Sequence, residues 1–209
     1  MEAAELNWYA LKVFYNKVFE LEDLLWEKDV ECFLAVEKRL LKGEAHEKAR
    51  RQLARLAQEG RTDRRFIQEG PMIFQRIPLV SSLLFVRTDV PTLRSIETLL
   101  RETDAAGNAK GFVYKSADWK SYAVIPPRQM EAFRLVAESG ASGLEFFADD
   151  DITRFKEGGR VRVTEGPLKG VEGYIKRIRK DRRLLVCIEG VVAVATSYIP
   201  PKFLESVEE

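Results

Sequence analysis

Cysteine and histidine are scarce in this chain. Its 209 residues include two cysteines, Cys32 and Cys187, and a single histidine, His46. Two cysteines this far apart supply neither a disulfide framework nor a zinc site, and each lies in an apolar run, so we expect two buried thiols. His46 is surrounded by charged residues, which predicts a surface position. The sequence therefore predicts no metal site and no cofactor.

Long apolar runs are also missing. No stretch approaches the roughly 20 consecutive apolar residues that a membrane-spanning helix needs. The first residues do not combine a basic segment with an apolar one, so we expect no signal peptide. We therefore expect a cytoplasmic protein that has no membrane partner. We also expect a monomer.

The motifs of common catalytic sites are absent as well. There is no GxxxxGK[ST] phosphate-binding loop, no nucleophile elbow, and no second histidine to pair with His46. Carboxylates are plentiful, but no spacing singles out an acid–base pair. The sequence predicts a protein that is not an enzyme.

Charge is balanced overall but not evenly distributed. The formal net charge is +1. Residues 37–66 contain ten Lys or Arg and five Asp or Glu, a net of +5, and residues 152–209 contain twelve and eight, a net of +4. Phosphate contact needs only a local basic patch, so both regions are candidates for nucleic-acid binding. Charged surface helices and turns that serve solubility are the alternative.

Residues 1–138 have the pattern of an α+β domain, a mainly antiparallel sheet with flanking helices. Strand patterns at residues 6–14, 30–41, 72–75, 83–88, 112–115 and 121–125 alternate with helix patterns. Asn16 and Asp89 are candidate N-caps for the first two of these helices, and Pro126-Pro127 precedes the last. Residues 43–65 interrupt this order with an amphipathic basic helix, which we interpret as a surface insertion.

The pattern changes after residue 138. Residues 139–151 are rich in Gly, Ser and acidic residues and are predicted to be a linker. Residues 152–209 contain five short strand patterns and no helix pattern, which predicts a small closed all-β barrel. Gly170 is expected to adopt positive φ, and Gly173 to allow close backbone approach.

Three segments carry a resemblance to a known family. Residues 157–178 (EGGRVRVTEGPLKGVEGYIKRI) resemble a KOW motif, with Gly166, Pro167, Gly170 and Gly173 in its loop. Residues 8–11 (WYAL) resemble the opening strand of the NusG N-terminal domain, and residues 78–86 (PLVSSLLFV) resemble its Pro-Leu-Phe-Pro-Gly-Tyr-Val-Phe-Val segment. The chain is similar to NusG-family elongation and antitermination factors, above all to the specialised RfaH and UpxY types.

The resemblance implies that the N-terminal domain binds the clamp helices of the largest RNA polymerase subunit through an apolar depression. The implied polymerase-binding residues are Trp8, Tyr9, Val80, Leu83, Phe85, Met130 and Phe133. Leu83 and Phe85 share a strand face, and Met130 and Phe133 share a helix face. The alternative is that all seven belong to the core. Val80, Ser81, Ser82 and Leu83 depart from the family pattern, which gives a more aliphatic segment.

The basic regions are the candidates for contact with non-template DNA or nascent RNA. The candidate nucleic-acid-binding residues are Lys48, Arg50, Arg51, Arg55, Arg61, Arg64, Arg65, Arg179, Lys180, Arg182 and Arg183.

Three functions remain open at this stage. The first is a specialised antitermination factor that reduces pausing or termination at particular operons. The second is a housekeeping NusG-type factor whose KOW domain contacts a termination factor or a ribosomal protein. The third is an RNA- or ribosome-binding KOW protein that has no role at polymerase.

Overall fold

The computed structural model describes residues 5–103, 107–141, 143–148, 159–178 and 181–207. The chain divides into two compact units, Met1–Tyr114 and Lys115–Glu209. Helices lie beside antiparallel sheets, so the predicted mixed α/β character is confirmed.

The described residues of the first unit form seven strands and three helices. In chain order they are β1 (Asn7–Val13), α1 (Val18–Trp26), β2 (Glu31–Phe33), β3 (Val36–Leu40), α2 (Gly43–Gln58), β4 (Phe66–Glu69), β5 (Met72–Pro78), β6 (Leu83–Thr88), α3 (Val90–Arg101) and β7 (Gly111–Val113).

The main sheet of this unit has the strand order β2-β6-β1-β7, with every neighbouring pair antiparallel. Helix α1 connects β1 to β2 across β6, and α3 connects β6 to β7 across β1. This is the split βαβ arrangement of ferredoxin-like folds. Because both crossovers join parallel strands, the right-handed rule puts α1 and α3 on the same face.

Gly111 shows how closely α3 approaches that face. A Cβ built on Gly111 would meet Leu100 Cδ2 of α3 at 3.1 Å, and Gly111 pairs with Val13 of β1. The buried stripe of α3 is Leu93, Ile96 and Leu100. Side chains of the sheet that point the same way as Val13 therefore face the helices.

Residues 36–78 form a separate small layer, which contains the basic helix of the predicted insertion. Strands β3, β5 and β4 form a three-stranded antiparallel sheet in that order, and α2 packs on its central strand β5. Ala49 and Leu56 of α2 and Ile73 of β5 are buried. The predicted helix is confirmed, whereas β4 was not predicted.

The two predicted N-caps have different outcomes. Asp89 accepts a hydrogen bond from the Thr92 amide at 2.8 Å, as an N-cap does. Asn16 does not cap α1: the cap position is Lys17, which makes no side-chain cap hydrogen bond. Asn16 has a left-handed φ of 55° and belongs to the turn before the helix.

In the part of the second unit that the structure describes, there are one α-helix and six strands. They are α4 (Pro127–Glu138), β8 (Glu145–Ala148), β9 (Arg160–Val163), β10 (Glu172–Ile178), β11 (Asp181–Ile188), β12 (Val192–Tyr198) and β13 (Leu204–Ser206). The six strands form an antiparallel sheet in the order β13-β9-β10-β11-β12-β8. A 3-10 turn at Pro201–Phe203 leads into β13.

All five strands predicted for residues 152–209 are present, but a closed barrel is not confirmed. Within the described residues, no pairing joins the two terminal strands β13 and β8. Leu185, Ala193 and Ala195 form a buried cluster against which Phe147, Ile178 and Cys187 pack. The predicted pair of strands at 112–115 and 121–125 reduces to β7 and one bridge between Lys115 and Tyr122.

Two features differ from the sequence-based boundaries. Residues 145–148, inside the predicted linker, form β8 and pair with β12. Helix α4, which was assigned to the first domain, is grouped with the second unit. It packs on β11 and β12, and the Glu189 amide donates to Gln129 Oε1 at 3.2 Å.

Candidate functional site

Three of the seven predicted polymerase-binding residues lie on one face of the main sheet. Trp8 pairs with Arg87, Ala10 with Phe85 and Lys12 with Leu83. Cross-strand partners project to the same side. We call this side, opposite α1 and α3, the distal face, and define it by Trp8, Ala10, Lys12, Leu83, Phe85 and Arg87.

The apolar residues of the distal face are buried. Trp8 is 8% exposed, Leu83 3% and Phe85 1%, and the Phe85 ring lies 6.2 Å from that of Phe33 on β2. Strand β6 is an inner strand, flanked by β2 and β1. These residues form the floor of the face, and their burial is what the alternative of core residues predicts.

Two other predicted residues of the first unit lie elsewhere. Tyr9 alternates with Trp8 and projects toward the helices, where it is buried, and burial raises the pKa of its phenol above the ordinary value. Val80 precedes β6 and is half-buried.

An exposed part of the distal face was not predicted. Phe14 continues the alternation of β1, and Phe112 pairs with Lys12 from β7. The Phe112 ring lies 6.0 Å from Phe14 and 5.3 Å from Tyr114, and Phe112 is 43% exposed. We call Phe14, Phe112 and Tyr114 the aromatic edge. The alternation of Phe112 and Tyr114 is the sequence signal that could have indicated it.

Met130 and Phe133 belong to the second unit. Both lie on α4 and are buried, and the Phe133 ring meets Phe146 of β8 edge-on at 6.2 Å. They share a helix face, as predicted. Trp8, Leu83 and Phe85 belong to the first unit.

Most of the insertion residues that were predicted to bind nucleic acid have acidic partners. The shortest ion-pair distances are 2.8 Å for Arg50–Glu47, 3.8 Å for Arg55–Glu59, 3.3 Å for Arg61–Glu59, 3.8 Å for Arg64–Asp23 and 2.7 Å for Arg65–Asp63. Arg64 also lies over the Trp26 ring at 4.6 Å. Lys48 and Arg51 are exposed and have no ion pair within the described part of the chain.

The basic residues of the second unit divide similarly. Arg183 is bound by Glu145 at 2.8 Å, whereas Arg182 is exposed. Arg179 and Lys180 lie outside the described residues.

The predicted KOW loop joins β9 to β10. Gly166 and Gly170 have φ of 87° and 86°. A Cβ on Gly173 would collide with the Leu185 carbonyl oxygen. The expected backbone conformation of Gly170 and the close approach at Gly173 are therefore confirmed, and Pro167 is exposed between them.

Two further observations concern chemistry. Burial raises the pKa of Cys32 to about 12, and its thiol donates to the Val30 carbonyl at 3.3 Å, so it is a poor nucleophile. Within the described ranges, no group of three His, Cys, Asp or Glu residues is placed to hold a metal ion.

Among the described helices, none is long and apolar enough to cross a membrane.

Comparison with solved structures finds a similarity over nearly the full length of the chain. The chain is similar to a structure titled "Domain interaction in Thermotoga maritima NusG", with 15% sequence identity, 98% of each chain covered and a TM-score of 0.41. No family model matches the sequence. No curated protein matches it either.

Proposed function

We propose that this chain is a NusG-type transcription elongation factor that binds RNA polymerase through the distal face and catalyses no reaction. The observation that carries the proposal is the continuity of this face. Its buried floor of Trp8, Leu83 and Phe85 runs in register to the exposed Phe112, and α1 and α3 lie on the other side.

The sequence motifs support the same family. Residues 8–11 and 78–86, which resemble the NusG N-terminal domain, form the two inner strands of the main sheet and the approach to one of them. The turn with Gly166 and Gly170 supports assignment of the second unit as a KOW domain, for which we propose a barrel-like sheet.

The partner we propose is the clamp-helix pair of the largest polymerase subunit. Apolar helices docked on an apolar surface are a recurring recognition mode, and aromatic side chains often dominate the binding energy. With the floor buried, the aromatic edge is the part of the face that an incoming helix meets first.

We further propose a specialised role at particular operons. The basic insertion and the aliphatic segment at Val80–Leu83 are the departures from the general family pattern that support it. Genome-wide polymerase association tests it: association with a few long operons supports specialisation, and uniform association supports the housekeeping role.

The direct test measures binding of the full chain to core RNA polymerase and to a clamp-helix fragment. Phe112→Asp is expected to weaken both by about 30-fold, the equivalent of about 2 kcal/mol for an aromatic anchor. The control is Val90→Asp, which changes a comparably exposed apolar residue at the start of α3. Lack of binding by the wild type, or equal binding by Phe112→Asp, would overturn the proposal.

A further inference from the structure

Two like-charged pairs face each other in the β10–β11 hairpin. The register puts Lys176 opposite Arg183 and Arg177 opposite Arg182. Directly opposed side chains in an antiparallel pair lie about 5 Å apart at Cβ, and like charges at this spacing are destabilising. Each pair needs a counter-charge.

The fold supplies a counter-charge to the first pair. Arg183 Nη1 binds Glu145 Oε1 of β8 at 2.8 Å, and the side chains of Arg183 and Glu145 are only 14% and 26% exposed. The carboxylate thus neutralises one member of the Lys176–Arg183 pair.

The second pair has no such partner. Arg177 and Arg182 are both exposed, and across the described residues neither guanidinium has an ion pair. Asp181 is adjacent in sequence, but it pairs with Ile178 in the register. Because side chains alternate along a strand, Asp181 projects from the opposite face of the hairpin to Arg182.

We propose that Arg177 and Arg182 bind a backbone phosphate of a nucleic-acid strand. Two guanidinium groups side by side present several N–H donors to one anion, and phosphate is the anion that this geometry suits. The site is distinct from the distal face and goes beyond polymerase binding.

A polynucleotide fits better than a single carboxylate. Residues 176–183 contain six Lys or Arg and one Asp in sequence. Such a density of positive charge attracts a ligand with regularly repeated negative charge. RNA and DNA share this chemistry, and the experiment distinguishes them.

The test uses the full chain and fluorescence anisotropy with labelled single-stranded RNA, single-stranded DNA and duplex DNA of about 20 nucleotides. Wild type is expected to bind at least one of them, with affinity that falls as salt rises from about 50 to 200 mM. Arg177→Ala with Arg182→Ala is expected to weaken binding about tenfold and, because one phosphate contact is lost, to reduce the log–log salt slope by about 0.7–0.9.

The matched control is Lys28→Ala with Arg94→Ala. It removes the same charge from two exposed positions of the first unit. It is expected to retain the wild-type slope. If the control lowers affinity as much as the hairpin variant, general charge explains the binding and the proposal fails.

A charge reversal gives an independent readout. Arg182→Glu replaces the like-charged pair with an opposite-charged one, so the free protein should melt about 2–4 °C higher while nucleic-acid binding is lost. The proposal is overturned if wild type binds none of the three strands, if the alanine variant binds equally well, or if polyglutamate competes as effectively as nucleic acid. Polymerase binding by Arg182→Glu, measured separately, is expected to remain.

Discussion

Arg76 of β5 reaches Glu22 of α1 through two charged hydrogen bonds, Nη1 to Oε2 at 2.6 Å and Nη2 to Oε1 at 2.8 Å. Both side chains are largely buried. Arg76 also donates to the Arg64 carbonyl at 2.8 Å and lies over the Phe19 ring. The pair therefore fixes the central strand of the insertion to a helix of the main sheet.

Removing one partner of this pair should be costly. Arg76→Ala leaves the Glu22 carboxylate buried without its cation, and we expect a loss of about 3–5 kcal/mol in the free energy of unfolding. Urea denaturation, followed by a spectroscopic signal from the first unit, measures this loss in the free energy of unfolding. Arg87→Ala is the control, because it breaks an exposed 3.4 Å pair with Glu31 and should cost under about 1 kcal/mol. Equal losses in the two variants would contradict this assignment.

Gly173→Ala should destabilise the second unit. A Cβ there collides with the Leu185 carbonyl oxygen and lies 3.0 Å from Leu184 Cδ1, so β10 must move away from β11. We expect a loss of about 2–3 kcal/mol, as for other overpacked sites. Gly159→Ala is the control, since its added Cβ meets no atom within 4 Å. Thermal melts of both variants measure the effect. Similar melting midpoints for the two variants would contradict this prediction.

Local conformation was predictable where it depends on nearby residues. The strand at residues 83–88 follows from a β-branched and aromatic run, and the α3 cap from Asp89 before Pro91. Gly170 and Gly173 were identified because backbone geometry restricts the residue type.

Long-range packing was not predictable in the same way. Glu145–Ala148 resembles a linker in composition and becomes a strand only through pairing with β12. The spacing of Met130 and Phe133 shows that they share a helix face, but not what that face contacts. For the same reason, alternation identified Leu83 and Phe85 as neighbours, whereas their burial depends on the other strands of the sheet.

The Asp63 carboxyl should make the free energy of unfolding depend on pH in the acid range. Burial favours a higher pKa for this carboxyl, but hydrogen bonds from Arg65 and Gln52 outweigh burial, so its pKa lies below the ordinary value. A lowered folded-state pKa stabilises the protein above the unfolded-state value of about 3.9. That contribution is lost as the pH falls through the folded-state pKa.

The variant that isolates this effect is Asp63→Asn. It removes the charge that Arg65 contacts, and we expect a loss of about 2 kcal/mol near neutral pH. As the pH falls below the unfolded-state value of about 3.9 and through the lower folded-state pKa, the difference from wild type should shrink, because the wild-type carboxyl then protonates too. Urea denaturation at several pH values measures the difference, and a constant gap from neutral to acid pH would contradict the assigned role.

The basic residues of the insertion should separate into two functional groups. Lys48 and Arg51 are three apart on α2, share an exposed helix face and have no ion pair within the described residues. Arg65 instead holds Asp63 through two side-chain bonds, at 2.8 and 2.7 Å. If the insertion contacts nucleic acid, Lys48 and Arg51 are the residues that can exchange solvent and counter-ions for phosphate.

Lys48→Ala with Arg51→Ala is therefore expected to leave the melting temperature unchanged and to lower the log–log salt slope of nucleic-acid binding by about 1.5. Arg65→Ala is expected to do the reverse, lowering the melting temperature because Asp63 loses its partner in a largely buried position. Anisotropy titrations at several salt concentrations, together with thermal melts, measure both properties on the same samples. An unchanged slope in the Lys48 and Arg51 variant would assign α2 a purely structural role, and the hairpin pair Arg177 and Arg182 would then account for the phosphate contacts alone.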